Sequence, residues 1–215
     1  KGFGVIKVKL GSTPALDIMR IKSIRQAIGP DIPLRLDANQ GWSIPQAADL
    51  LKSLHPYNIQ YCEEPISRDE FDRLPLLRKQ IKIPIMADES CLDHHDARRL
   101  IALNACDMFN LKLGKSGGIH KAMKIARLAA EAGMPMQVGG FLESRLAFTA
   151  SAHLALSNKY IHYYDFDSPL MMLQDPVSGG LRYGSGGSVA MTDAPGLGAT
   201  IKEEFMLSPD RIVIE

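Results

Sequence analysis

Several classes of protein are excluded by what this sequence lacks. Cysteine is scarce: Cys62, Cys91 and Cys106 are the only three in 215 residues. An odd number without metal-site spacing argues against a disulfide framework or a zinc site, and fits a reducing cytosol. Net charge is nearly absent, with 25 Lys and Arg against 24 Asp and Glu. A nucleic-acid binder would show a basic excess, and an acidic or basic tail would show a one-sided run. No uncharged apolar run approaches the roughly 20 residues of a membrane span, so no membrane partner is expected. No signal-peptide pattern opens the chain. Position 1 is Lys rather than Met, so the expectation is that Lys1 is not the native start. There is no low-complexity stretch and no long linker. What remains is an ordinary globular composition, 46% hydrophobic and 23% charged, which excludes disorder as the main state.

Short apolar runs alternate with helix-patterned segments. The runs are Val5–Lys9, Leu34–Asp37, Ile59–Glu63, Ile85–Asp88, Met108–Lys112, Met136–Val138 and Ile161–Asp165. They are β-compatible and suit strands buried on both faces. Thr13-Pro14 reads as an N-cap with Pro at the first helical position, and Gly29 as the glycine past the helix end. Ile18, Ile21, Ile24 and Ile28 mark that helix's apolar face. Ser43 caps a second helix, and Ile119, Ala122, Met123, Ala126 and Ala129 carry another. The spacing also predicts helices over Asp69–Gln80, Asp93–Asn104 and Ser144–Ser157. Pro75 marks a kink or a late start in the first of these. Such alternation means an α/β fold with a parallel sheet, either doubly wound or a (β/α)8 barrel. Lys9-Leu10-Gly11-Ser12 holds a single glycine, so the dinucleotide fingerprint that would favour the open sheet is missing.

The residue ending each of the first five runs is ionisable: Lys9, Asp37, Glu63, Asp88 and Lys112, at spacings of 28, 26, 25 and 24. One such residue is ordinary, since a Lys snorkels and an Asp caps the next helix. Five in register put charge at the strand C-terminal edge, where parallel α/β folds build their sites. Three converging carboxylates would repel one another and resist ionising. A divalent cation removes that cost, and all-oxygen ligands suggest Mg²⁺ before Mn²⁺ or Ca²⁺. Residues two apart share a strand face, so Lys7 joins Lys9, Asn110 joins Lys112, and Asp165 joins Asp167. The last pair suits a substrate ammonium, but Asp167-Ser168-Pro169 also has turn composition, so capping stands beside ligand binding.

These residues resemble the muconate-lactonizing-enzyme subgroup of the enolase superfamily. Lys7-Val8-Lys9, Asp37-Ala38-Asn39-Gln40, Glu63-Glu64-Pro65, Asp88-Glu89-Ser90 and Asn110-Leu111-Lys112 leading to Gly117-Gly118 follow the family's order across nearly the whole chain. The resemblance implies a modified (β/α)8 barrel, a TIM-like fold, of which residues 1–190 supply the second to eighth strands. It implies a preceding capping domain and first strand outside this chain, and a tail over 191–215 that packs back toward that domain. It also implies one Mg²⁺, with Mn²⁺ as a substitute, on Asp37, Glu63 and Asp88. Glu64 stands where Gln is commoner and is the fallback ligand. Lys9 and Lys112 become acid and base on opposite faces of the substrate, and Lys7 an electrostatic aid to Lys9.

Within the subgroup, Asp165-x-Asp167 looks like the mark of the dipeptide epimerases, where it binds the free α-ammonium. The expected reaction is a 1,1-proton transfer through a metal-stabilised enediolate, with a dipeptide as partner. Asn110 and Glu143, in Gly139-Gly140-Phe141-Leu142-Glu143-Ser144, join the expected substrate contacts, although the latter run also reads as a helix entry capped by Ser144. A cytoplasmic homo-oligomer is expected. The rivals are N-acylamino acid racemisation, o-succinylbenzoate synthesis or cycloisomerisation in the same superfamily, a Schiff-base lyase using Lys112 or Lys9, and a non-enzymatic barrel remnant. Lys115 lies past the strand end, so Lys112 is preferred as the catalytic lysine. His94-His95 reads as surface and His153 as structural.

Overall fold

The computed structural model describes residues 2–206, so the end of the expected tail, 207–215, lies outside the described residues. Seven strands form one sheet in chain order. They are β1 (Ile6–Lys9), β2 (Leu34–Asp37), β3 (Ile59–Glu63), β4 (Ile85–Ala87), β5 (Met108–Lys112), β6 (Met136–Gly139) and β7 (Ile161–Tyr164). Every neighbouring pair is parallel. A doubly wound sheet reverses its strand order at a switch point, and this order never reverses. The chain is therefore seven strands of a barrel-type sheet.

The alternation of side chains explains its two cores. Leu34, Leu36, Cys62, Ile85, Leu111 and Val138 point outward and join the large core beneath the helices. Tyr61, Met86 and Met108 point the other way, forming a separate cluster with Tyr163. The Arg35 guanidinium lies 4.9 Å from the Tyr163 ring centre and 5.6 Å from that of Tyr61, filling the same interior. Cys62, Cys91 and Cys106 are all free and buried.

Helices α1 (Pro14–Ile28), α2 (Ile44–Leu54), α3 (Leu74–Arg78), α4 (His94–Ala102), α5 (Leu113–Ser116), α6 (Ile119–Glu131) and α7 (Arg145–Leu156) connect the strands. Thr13 caps α1, accepting from Leu16 N, and Gly29 ends it at φ +75°. The expected helix over Asp69–Gln80 is corrected. Arg68–Arg73 is a 3₁₀ turn, and α3 starts late, with Pro75 in its first turn, where the missing N–H costs nothing. Asp93 caps α4 by accepting from His95 N and Asp96 N. The short α5 and a C-terminal part were not foreseen. That part pairs β8 (Val177–Gly179) with β11 (Ala199–Ile201), and β9 (Arg182–Tyr183) with β10 (Val189–Ala190). Arg145 at the start of α7 anchors it by donating to the carbonyls of Val177 and Leu181. Among the described residues, no helix is long and apolar enough to cross a membrane.

Candidate active site

Strand register brings the charged ends to one height. Lys9 of β1 pairs with Asp37 of β2, and Asp37 with Glu63 of β3. Asp88 follows the last residue of β4, and Lys112 ends β5. Asp37, Glu63 and Asp88 are at most 1% exposed. Buried carboxylates need partners, and lysines supply them. Lys7 Nζ lies 3.1 Å from Asp37 Oδ2, 2.7 Å from Glu63 Oε2 and 2.8 Å from Asp165 Oδ2. Lys9 Nζ lies 2.6 Å from Asp37 Oδ2 and donates to Asn39 Oδ1 at 3.0 Å. Lys112 Nζ sits 2.5 Å from Asp88 Oδ2, and Lys115 Nζ 2.5 Å from Asp88 Oδ1.

These contacts set the protonation states. Burial works against the charge of Lys7, but Glu63, Asp165 and Asp37 outweigh it and hold its pKa above the ordinary lysine value. Burial pushes Glu63 up to about 8; Lys7 opposes that shift, and the nearby Asp37 and Asp88 add to it. Asp88 goes the other way, because Lys115 and Lys112 together outweigh its burial and hold it below the usual carboxylate range. Burial would lower Lys112, yet Asp88 keeps it above its ordinary value. The Phe141 ring centre lies 5.0 Å from Lys112 Nζ, placing a π face against the same ammonium.

Glu63 and Glu64 have separate environments. Glu64 takes φ +37° and turns away from the row. Its Oε2 accepts from Asp88 N at 2.6 Å and Ser90 N at 3.1 Å, and its Oε1 accepts from Ser90 Oγ. Both carboxylate oxygens of Glu64 are therefore engaged in holding the loop after β4. Glu63 has Oε1 bonded to Asn110 Nδ2 at 2.7 Å. Its buried Oε2 has the Lys7 ammonium at 2.7 Å as an ion-pair partner.

The remaining expected residues divide. Asp165 is paired with Lys7, while Asp167 precedes the 3₁₀ turn Ser168–Met171 without making a side-chain cap. Its carboxyl is raised by burial and by Asp165. Glu143 lies on the loop between β6 and α7, with Oε2 buried and unbonded. Asn110 is buried behind Glu63. Lys115, set aside on the sequence because it lies past the strand, is brought back by α5 onto Asp88. A lysine three residues beyond a site lysine on a short helical turn is the signal that could have found it. His94 and His95 stack at the start of α4, 4.1 Å apart and away from the row.

A divalent cation at this site would have to lie among these donors. Among the described residues no three His, Cys, Asp or Glu side chains gather closely enough to hold a metal ion, and the Lys7 ammonium lies within 3.1 Å of both Asp37 and Glu63. The donor chemistry nevertheless fits a hard cation. The carboxylates of three consecutive strands are buried together, burial drives Glu63 toward its neutral form, and one of its oxygens has only the Lys7 ammonium as partner.

A family model described as enolase C-terminal domain-like matches residues 1–205. The chain is 54% identical over 213 residues to the D-Ala-D/L-Ala epimerase of Cytophaga hutchinsonii, covering 99% of this chain and 58% of the relative. The crystal structure of the dipeptide epimerase from Cytophaga hutchinsonii, complexed with Mg and the dipeptide D-Ala-L-Val, superposes with a TM-score of 0.93 at 56% identity. That match covers 95% of this chain and 55% of the solved one. A substrate-liganded complex of the L-Ala-D/L-Glu epimerase from Bacillus subtilis superposes with a TM-score of 0.90 at 38% identity, over 92% of this chain and 56% of that one. The chain thus spans little more than half the length of these relatives.

Proposed function

We propose, from the premise that this chain belongs to the enolase C-terminal domain-like family, that the intact protein is an isomerase that epimerises dipeptides by 1,1-proton transfer. The observation that carries this reading is the placement of Lys9 and Lys112 at the two ends of the row Asp37, Glu63 and Asp88. A planar carbanion centre lying over that row would meet one ammonium from each side. The dipeptide epimerase solved with Mg and a dipeptide, together with the D-Ala-D/L-Ala and L-Ala-D/L-Glu epimerases, supports the substrate class and the metal.

Asp37, Glu63 and Asp88 would hold Mg²⁺, which supplies positive charge against the negative charge that develops on the substrate carboxylate when the α-proton leaves. Glu63 would be the third ligand rather than Glu64, whose carboxylate oxygens are already taken by Asp88 N and Ser90. Lys112 can act as a base only after releasing Asp88, the partner that keeps its pKa up. Lys9 is the more exposed of the pair, 63% at its side chain, and needs only to swing from Asp37 to reach substrate. Asp165 and Asp167 would receive the dipeptide's ammonium, and Glu143 and Asn110 border the same space. The free, buried cysteines support a cytoplasmic location. Homo-oligomerisation completes the proposal, and sedimentation equilibrium of the intact protein tests it.

The decisive experiment is a dipeptide library incubated with the intact protein and Mg²⁺ in D₂O, read by mass spectrometry. Deuterium should enter one α-carbon, and EDTA should stop it. Lys9→Ala and Lys112→Ala should each abolish epimerisation while still exchanging the α-proton of one epimer. Full epimerase activity in either variant overturns the assignment, and borohydride trapping of substrate on a lysine would point instead to a Schiff-base enzyme.

A further inference from the structure

Asp17 is a fully buried carboxylate that the proposed chemistry does not use. It lies in the first turn of α1, but it is not that helix's cap, because Thr13 performs that task. Its Oδ2 instead faces away from the helix and accepts three hydrogen bonds. Two come from the loop after β1, Gly11 N at 3.0 Å and Ser12 N at 3.1 Å. The third comes from Trp42 Nε1 at 3.0 Å, in the loop after β2. Its Oδ1 lies 3.4 Å from Arg20 Nη1, and that same nitrogen donates to the carbonyl of Lys9 at 2.7 Å.

The two loops tied by Asp17 are also in backbone contact. Leu10 N donates to Asp37 O at 2.8 Å. Gly11 has φ +89°, and a Cβ there would sit 2.2 Å from Ala38 O. A Cβ on Gly41 would sit 2.4 Å from Gly11 Cα. Nothing larger than glycine fits at this crossing, so the loops after β1 and β2 behave as one body whose polar groups converge on one carboxylate.

We infer that Asp17, acting with Arg20, is a positioning residue that fixes the backbone of Lys9 against the loop that follows Asp37. Lys9 has a long, exposed side chain, so its reach to a reacting carbon depends on where its Cα is held. Asp17 holds the loop just after it, and Arg20 holds its carbonyl. Lys112 lies four strands away with its own partners, Asp88 and the Phe141 ring, and is untouched by this arrangement. The inference rests on the acid–base role of Lys9 proposed above.

The test uses Arg20→Gln, which removes the hold on the Lys9 carbonyl and leaves the three bonds to Asp17 Oδ2, together with Asp17→Asn. Lys9→Ala and Lys112→Ala first establish which epimer each lysine deprotonates. In Arg20→Gln and Asp17→Asn, α-proton exchange of the epimer served by Lys9 should fall by about ten- to a hundredfold. Exchange of the epimer served by Lys112 should stay near wild type. A proportional loss on both sides, or no loss on either, overturns the inference. A second readout needs no turnover. After reductive ¹³C-methylation of the Mg²⁺-free protein, the Lys9 resonance, identified by its absence in Lys9→Arg, should shift or broaden in both variants while that of Lys112 stays put. An unmoved Lys9 resonance also overturns it. If the wild-type protein exchanges neither epimer, the functional reading fails, and the resonance still decides the positioning of Lys9.

Discussion

Lys7 Nζ lies 2.8 Å from Asp165 Oδ2, and these two residues belong to opposite edges of the seven-stranded sheet. Among the described residues β1 and β7 share no strand pairing, so this ion pair is one of the contacts that join the two edges. The same ammonium also neutralises Asp37 and Glu63, which makes it the shared counter-charge of three carboxylates. Removing one partner of a buried ion pair leaves the other charge uncompensated. Lys7→Met should therefore destabilise the Mg²⁺-free protein by about 3–5 kcal/mol, read as a lower urea midpoint at unchanged m-value. A loss below about 1 kcal/mol would mean that solvent already screens these carboxylates.

Asp165 and Asp167 should act on substrate binding rather than on the proton relay. Asp167 makes no cap and is exposed, leaving its carboxylate available to a ligand ammonium. Asp167→Asn should reduce kcat/KM for a dipeptide by about ten- to a hundredfold, the worth of one charge-assisted contact. The loss should shrink for an N-acetylated dipeptide, which carries no ammonium. Asp165→Asn should do the same and should also loosen Lys7, so its effect on stability should exceed that of Asp167→Asn. Little loss on either substrate would favour the N-acylamino acid racemase reading.

The fold and the charged row were legible because both depend on short-range periodicity. A strand–helix unit of about 25 residues is written in the spacing of Lys9, Asp37, Glu63, Asp88 and Lys112, and strand register then puts them side by side. Lys115 was passed over because strand periodicity ends at Lys112, and only the turn of α5 carries it back to Asp88. The different surroundings of Glu63 and Glu64 depend on one positive φ, which adjacent identical residues do not reveal. Asp17 was invisible for a different reason. Helix patterns are read from apolar residues, and a buried carboxylate bonded to two loops leaves no trace in them. The pairing of β8 with β11 joins residues some twenty positions apart through glycine-rich chain, where neither period applies.

Glu64 predicts a pH dependence for the metal-free protein. Burial raises its pKa to about 7, against the bonds from Ser90 and Asp88 N that lower it. In the unfolded chain a glutamate ionises near about 4.3. Between those values the native state keeps a proton that the unfolded state has lost, so stability falls as pH rises across this window. Glu64→Gln removes the titration and can still accept from Asp88 N and Ser90 N. The variant should match wild type at pH near about 4 and exceed it by about 1–3 kcal/mol near pH 8. Chemical denaturation in EDTA at several pH values checks both ends. An advantage for the variant that is the same at every pH would place the effect elsewhere.

Lys115 and a divalent cation compete for the same charge. Each oxygen of Asp88 faces an ammonium, Lys112 on Oδ2 and Lys115 on Oδ1, and the two together hold its pKa below the usual carboxylate range despite burial. Lys115 is only 5% exposed at its side chain, so little solvent screens it from an ion placed among Asp37, Glu63 and Asp88. Lys115→Met should cost the metal-free protein about 1–3 kcal/mol, because Asp88 then keeps a single partner. It should also bind Mg²⁺ more tightly, since one repelling charge is gone. The thermal midpoint should therefore rise more on adding Mg²⁺ in the variant than in wild type, and calorimetric titration should give the lower dissociation constant. The opposite order of affinities would mean that Lys115 serves chiefly to aim Asp88 at the metal, a geometric role outweighing its charge.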